Sequence, residues 1–229
     1  MTITNARKNI IKFKYSMNNE IMERSDSIDY LGVRINSKLT WDIHINNICK
    51  SAKRVLGFLC RTLHHSSKNV RLHAYKTLVR PKIEYSSSIW DPHQEKYIEQ
   101  LEKIQRAGAR FVLNKRWKRS AEQESAIQMV KDLNWDTLQE RRKRARLIFL
   151  YKTIKGLVVI PSSYHPAEAS NVHNTRNLPE GSLQIYQPAV NAFKYSLIPR
   201  TVKEWNALSP ETMQSKTLDL FKASLARIK

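Results

Sequence analysis

Hydrophobic and polar residues alternate near the start of the chain, which is the pattern of β-strands. Residues 10–16 are rich in β-branched and aromatic side chains, and Asn18-Asn19 separates them from a second short segment of the same kind. Because asparagine tolerates positive φ, this pair predicts a tight hairpin turn. Residues 28–35 predict a third strand that contains Gly32, and a glycine within a strand often marks a close backbone approach.

Two long helices are predicted from apolar residues that recur every three or four positions. The first spans about 41–63, with Thr40 as its N-cap, and the other spans about 92–113. The apolar stripe of the first contains Ile45, Ile48, Cys49, Ala52, Val55, Leu56, Leu59 and Leu63. The apolar stripe of the other contains Ile98, Leu101, Ile104, Gln105, Gly108, Phe111 and Val112. The opposite sides are basic, with Lys50, Lys53, Arg54 and Arg61 on the first and Lys96, Lys103, Arg106 and Arg110 on the other. Such a face is either an ordinary solvated surface or a surface that binds a polyanion.

Another helix is predicted between these two, beginning at Ser66 or Ser67. Its predicted apolar face contains Val70, Ala74, Leu78 and Pro81. Because Pro81 has no backbone N–H to donate, this helix should kink or end near Arg80.

Two further helices are predicted over about 120–133 and 135–155. The second carries the basic run Arg141-Arg142-Lys143-Arg144-Ala145-Arg146. Its predicted apolar face contains Leu138, Ala145 and Phe149, with Arg142 inside that face. Arg142 must therefore extend its charge to solvent or find a partner.

The composition changes at residue 157, where prolines, serines and asparagines become frequent. This region predicts a long loop and a domain boundary. The final stretch is helical again, with a break at Ser209-Pro210. The predicted fold is α+β and mostly helical, with strands at 1–39, a helical bundle at 40–156, a loop region at 157–197 and a helical tail at 198–229.

Charge narrows the range of partners. The 229 residues include 40 Lys and Arg against 20 Asp and Glu, so the formal net charge is +20. A chain this basic repels itself unless a polyanion neutralises it. Nucleic acid is the commonest such partner, and an anionic membrane surface is the second. Without a signal-like or membrane-length apolar run, the protein is expected to be soluble and intracellular, and no direct localisation signal distinguishes the nucleus from the cytoplasm.

Aromatic residues supply a second candidate for nucleic-acid contact, because bases stack on aromatic rings. The residues considered are Tyr30, Trp41, Tyr75, Tyr85, Trp90 and Trp135. Aromatic residues more often fill the core, and we expect this of all six except Tyr30.

Catalytic and metal-binding patterns are sparse. Cys49, Cys60, His64 and His65 are close in sequence, but the two cysteines occupy helical positions suited to small apolar side chains. Their spacing does not match the paired ligands of a structural zinc site. Two-metal phosphoryl transfer needs clustered carboxylates, whereas the aspartates here are scattered and none are adjacent. From these patterns the chain is a basic, mostly helical binding domain with no evident chemistry.

Several ordered sequence blocks carry a resemblance to a known family. They are residues 5–9, Tyr30-Leu31-Gly32-Val33, Leu39-Thr40-Trp41, residues 56–59, residues 74–85, Trp90-Asp91-Pro92, residues 101–107, residues 138–142, Pro199-Arg200-Thr201 and Trp205-Asn206. In this order and spacing they resemble the reverse transcriptases of jockey- and CR1-type non-LTR retrotransposons, downstream of the active-site strands. The resemblance extends from about residue 4 to residue 225.

The resemblance implies a location for nucleic acid on this chain. The block Tyr30, Leu31, Gly32 and Val33 resembles the primer grip, and the helices after Thr40 resemble the thumb that holds the template–primer duplex. The contacts expected on the helices are Lys50, Lys53, Arg54, Arg61, Lys96, Lys103, Arg106, Arg110, Arg141, Arg142, Lys143, Arg144 and Arg146. Lys8 matches a palm lysine that lies near the incoming triphosphate in such polymerases, although an ordinary surface lysine is the simpler interpretation.

The same comparison implies that the chain is inactive alone. Nothing here matches the fingers or the palm strands with their metal-binding aspartates, and Mg²⁺ is expected only in a full-length relative. The expected function is therefore that of an inactive reverse-transcriptase fragment that binds RNA, DNA or an RNA–DNA hybrid. The alternatives are a module that docks on the palm and fingers of a related chain, the product of a decayed element copy, and a membrane-surface protein.

Overall fold

The computed structural model describes residues 1, 3, 13–115, 122–169 and 179–228. The chain forms two compact units, each assembled from two separate segments. Unit 1 comprises Met1–Ile83 and Gln94–Arg116, and unit 2 comprises Glu84–His93 and Trp117–Lys229. The fold is α+β and mostly helical, as predicted, with short antiparallel strands followed by helices.

The strands of unit 1 form two separate hairpins. Strands β1 (Ser16–Met17) and β2 (Glu20–Ile21) pair around Asn18-Asn19, whose φ angles of 51° and 66° confirm the predicted turn. Residues 10–12, which begin the first predicted strand, are outside the described residues.

The predicted third strand over 28–35 is wrong, because it folds back on itself. It forms β3 (Ser27–Tyr30) and β4 (Val33–Asn36), joined by Leu31-Gly32 with φ angles of 47° and 79°. Positive φ at two central residues gives the turn whose twist matches a hairpin. The role of Gly32 is therefore to form this turn.

Helix α1 (Asp42–Thr62) forms much of the core of unit 1. Its predicted apolar stripe is confirmed by the burial of Ile45, Cys49, Ala52, Leu56 and Leu59. The predicted cap is off by one residue, since Trp41 is the N-cap and makes no side-chain cap hydrogen bond. The Thr40 hydroxyl instead donates to Asp42 Oδ1 at 2.7 Å.

The second predicted helix is continuous from Lys68 to Glu84 but changes its winding. It consists of α2 (Lys68–Ala74), a π-helical turn (Tyr75–Val79) and α3 (Arg80–Glu84), and Ser67 is its N-cap as predicted. The helix passes through Pro81 instead of ending before it. A widened turn lets a helix accommodate a residue that cannot complete the regular hydrogen-bond ladder.

The apolar face of this helix was predicted one position away from the face that is buried. The buried residues are Arg71, Tyr75, Val79 and Ile83, whereas Val70 and Leu78 are about half exposed. The predicted positions Val70, Ala74 and Leu78 have the same spacing of four as the buried positions, so spacing does not distinguish the two faces. The buried face begins with the charged Arg71, and an apolar pattern therefore pointed to the neighbouring face.

Helix α5 (Glu95–Leu113) packs against α1 and α2 within unit 1. Its predicted stripe is buried, but the helix begins three residues later than expected. A Cβ atom at Gly108 would overlap the Tyr75 ring, so the missing side chain leaves room for that ring. The Arg71 side chain is buried nearby and donates to the Val112 carbonyl oxygen at 3.2 Å.

Unit 2 is built around α7 (Leu138–Ile154). Thr137 caps this helix by accepting from the Glu140 N–H at 3.1 Å. The other elements of the unit's first part are α4 (Ser87–Trp90) and α6 (Glu122–Asp132). The predicted start of α6 near residue 120 is outside the described residues.

The C-terminal stretch completes the core of unit 2. A 3-10 turn (Ser162–Tyr164), α8 (Asn191–Lys194), α9 (Leu197–Trp205), α10 (Pro210–Met213) and α11 (Leu218–Arg227) follow α7. The rings of Tyr151 and Phe221 stack with centroids 4.4 Å apart, and Trp205 lies beside Phe221. The segment predicted as a tail thus packs on α7 as an integral part of the unit.

Candidate nucleic-acid interface

The outer face of α1 is a basic surface. Lys50, Lys53, Arg54 and Arg61 are all exposed, because the opposite side of the helix is buried in the core of unit 1. Asp42, in the first turn, is the only acidic residue of α1. Within the described ranges, no carboxylate forms an ion pair with any of the four cations. Their charges are therefore available to an external anion.

The predicted basic face of α5 has a different character. Lys96 and Lys103 are exposed, but Arg106 is only partly exposed and pairs with Glu99. Arg110 is also half-buried and already has an interaction partner. Since α5 carries three glutamates as well, its outer surface has mixed charge and offers two free lysines at most.

The Tyr30–Val33 block forms the tip of the second hairpin. Tyr30, Leu31 and Gly32 are exposed, with Leu31 73% exposed, whereas Val33 is buried against the unit. The hairpin is held to α1 through His44, whose Nδ1 accepts from the Arg34 N–H at 3.2 Å. Burial lowers the pKa of His44, although the charge of Asp29 partly opposes this. The neutral imidazole is the form that accepts this hydrogen bond.

The basic run on α7 lies in unit 2 and is mostly ion-paired. Arg141 pairs with Glu84, Arg144 lies 2.5 Å from Asp136, and Arg142 Nε donates to Asp91 Oδ1 at 2.6 Å. Lys143, which is half-buried, is the one cation of the run without an ion pair among the described residues. The run therefore contributes much less free positive charge than its sequence suggests.

Two of these arginines belong to a buried ion cluster. Arg142 and Arg146 are 1% and 2% exposed, and both pair with Asp91. Arg146 also donates to both oxygens of Glu204, at 2.5 and 2.7 Å. Burial explains why Arg142 needed a partner, and it removes both residues from any contact surface. We therefore leave them out of the interface.

Arg200 brings the C-terminal stretch into the same cluster. Its guanidinium lies 3.3 Å from Asp91 Oδ2 and donates to the Asp91 carbonyl oxygen at 3.2 Å. Burial lowers the pKa of both Arg146 and Arg200. Three guanidinium groups thus surround one buried carboxylate, with Glu204 supplying a second negative charge. Such an arrangement is stable only while every charge keeps its partner.

Cysteine and aromatic positions agree in part with their predictions. Cys49 is buried on the apolar stripe, whereas Cys60 is exposed. No group of three or more potential metal ligands occurs in the described part of the chain. Tyr75 and Trp90 are buried as expected, but Tyr85, predicted to lie in the core, is 57% exposed.

Two features of α1 were missed at the sequence level. Phe58 is 56% exposed on the basic side of the helix, and a Cβ at the preceding Gly57 would meet the Arg61 guanidinium at 3.8 Å. Helical spacing carried the signal, since Phe58 is four residues after Arg54 and falls off the apolar stripe.

Asp91 and Glu204 were missed as partners because they lie 51 and 58 residues from the arginines that they contact.

Comparisons with protein-family models, curated proteins and solved structures find no match to this chain. Across the described residues, no helix combines the length and apolar character needed to cross a membrane.

Proposed function

We propose that this chain is a reverse-transcriptase-like fragment that binds template–primer nucleic acid and has no polymerase activity by itself. The observation that carries the proposal is the basic outer face of α1, whose four cations have no acidic partner among the described residues. Lys and Arg on such a face bind phosphates by releasing condensed counterions, which gives affinity with little sequence preference. The net charge of +20 adds long-range attraction to the same ligand.

Binding to an RNA–DNA hybrid across a salt series tests this proposal. In the double variant Lys50→Gln, Arg54→Gln, the slope of log affinity against log salt should become shallower by about two, because each removed cation leaves one phosphate with its condensed counterion. The matched control is Lys203→Gln, Lys216→Gln, which removes two exposed charges from unit 2 and should leave the slope nearly unchanged.

Equal weakening in the two double variants would mean that total charge, and not α1, determines binding. Anionic liposomes that compete as well as the hybrid would favour the membrane-surface alternative. Primer extension by the chain alone would contradict the proposed lack of polymerase activity.

Docking on a second protein is a second candidate, favoured by the first hairpin of unit 1. Its apolar side chains are more than half exposed, namely Phe13, Tyr15, Met17, Ile21 and Met22. An exposed apolar patch of this kind usually marks a surface that another molecule covers. The fitting partner is a palm-and-fingers fragment of a related reverse transcriptase. The double variant Tyr15→Ser, Ile21→Ser should abolish its binding, whereas Val70→Ser, on another exposed apolar site, should not.

A further inference from the structure

We propose that the outer face of α1 binds single-stranded nucleic acid, with one unpaired base stacked on Phe58 and the adjacent backbone lying against Gly57. This inference rests on the proposed function and adds to it a contact with the single-stranded part of a template–primer. Lys50, Arg54, Phe58 and Arg61 follow one another at spacings of three or four residues, so they share one stripe of the helix. An aromatic ring thus lies within a row of cations that have no acidic partner in the described part of the chain.

The exposure of Phe58 favours a single strand over a duplex as the ligand, because an unpaired base can stack on the ring. Its ring is 56% exposed, and among the described residues it has no aromatic or cationic neighbour in contact. Duplex bases are stacked on one another and offer mainly phosphates to a helix face. A single strand presents the faces of its bases, and an aromatic ring beside phosphate-binding cations can stack on them.

Gly57 supplies the second observation. A glycine inside an exposed helix costs stability relative to alanine, yet a Cβ at this position would meet no atom closer than the Arg61 guanidinium, at 3.8 Å. Packing within the protein therefore does not require the glycine. Helical side chains lean toward the N-terminus, which brings the Arg61 guanidinium over the bare backbone of Gly57. A phosphate bound by Arg61 can approach the helix closely at that point.

The test compares an oligothymidylate with a blunt duplex of the same length, using the full chain. Phe58→Ala and Phe58→Leu should both weaken oligothymidylate binding, roughly five- to a hundredfold for the loss of one stacked base, and change duplex binding less than about twofold. Phe58→Trp should retain the affinity because it keeps a stacking face. If Phe58→Leu binds as the native chain does, apolar contact and not stacking accounts for Phe58, and the inference fails.

Gly57→Ala separates folding from binding. The substitution should raise the melting temperature, since alanine favours the helix, and at the same time weaken oligothymidylate binding at least severalfold. Native-like binding by this stabilised variant would contradict the close approach at Gly57. The proposed function fails if neither probe binds in a salt-dependent manner. Only the present inference fails if the Lys50→Gln, Arg54→Gln variant weakens both probes while the Phe58 variants leave their ratio unchanged.

Discussion

Two helical glycines of unit 1 have opposite surroundings. A Cβ at Gly108 would overlap the Tyr75 ring, whereas a Cβ at Gly57 would make an ordinary contact with the Arg61 guanidinium, at 3.8 Å. A methyl group at Gly108 would force the buried ring, or α5 itself, to move, and overpacking of this kind costs about 1–3 kcal/mol. We therefore expect Gly108→Ala to lower the free energy of unfolding by that amount, measured by urea denaturation. Gly57→Ala is the matched control and should be stabilising, so a similar loss in both variants would contradict the steric explanation.

Single residues were predictable where their environment is local. The stripe of α1 and the turn at Asn18-Asn19 follow from spacing and from the φ tolerance of asparagine, and both are confirmed. Arg142 was expected to need a partner because it interrupts an apolar face. The partner itself, Asp91, could not be identified, because sequence spacing gives no information about which distant carboxylate reaches a given helix.

At the scale of elements, the second hairpin is joined to α1 by a hydrogen bond that depends on pH. The His44 imidazole accepts from the Arg34 N–H, and burial lowers the pKa of His44 below its usual value of about 6.5. A base with a lowered folded-state pKa contributes stability above the unfolded value and loses it as pH falls through and below about 6.5. We expect the protection factor of the Arg34 amide, which is its exchange rate relative to the intrinsic rate at the same pH, to fall over this range. In His44→Gln this loss of protection should disappear, and its persistence would assign the effect to another group.

The packing of α4, α7 and α9 against one another depends on the buried ion cluster around Asp91. Asp91 holds Arg142, Arg146 and Arg200 together, and without it three buried or half-buried guanidinium groups would repel one another. Removing one partner of a buried pair typically costs about 3–5 kcal/mol. Asp91→Asn should therefore lower the stability of unit 2 by about this amount, measured by amide exchange along α7. Glu204→Gln should cost less, because Glu204 is more exposed. An equal loss of stability in the two variants would argue against Asp91 as the central charge of the cluster.

A buried charge and a tight hairpin explain why two elements were misassigned. In the second helix the predicted face and the buried face differ by one position, and the buried one contains the charged Arg71, which an apolar pattern does not select. Residues 28–35 alternate like a single strand because both arms of a tight hairpin alternate too. In each case the apolar pattern is real, but which face is buried, or which segments pair, depends on packing partners elsewhere in the chain.

The whole molecule divides in a way that local periodicity does not predict. Unit 1 takes α5 from beyond a segment that belongs to unit 2, and the predicted bundle at 40–156 is shared between the units. The stretch predicted as a tail supplies Val202, Trp205 and Phe221 to the core of unit 2. The sequence predicted that this stretch is helical, with a break at Ser209-Pro210. Helical character does not indicate which other helix a segment packs against.

This division allows nucleic-acid binding to be separated from the integrity of unit 2. The basic face of α1 and Phe58 belong to unit 1, and the Asp91 cluster belongs to unit 2. If α1 carries the binding, Asp91→Asn should destabilise unit 2 and yet bind an RNA–DNA hybrid within about twofold of the native affinity, with an unchanged salt slope, because the substitution removes none of the cations of α1, which belong to unit 1. Binding would be measured by anisotropy titration under conditions in which amide exchange shows that α1 stays folded. Weakening as large as that of the Lys50→Gln, Arg54→Gln variant would mean that unit 2 also contacts the nucleic acid, so that the interface extends beyond α1.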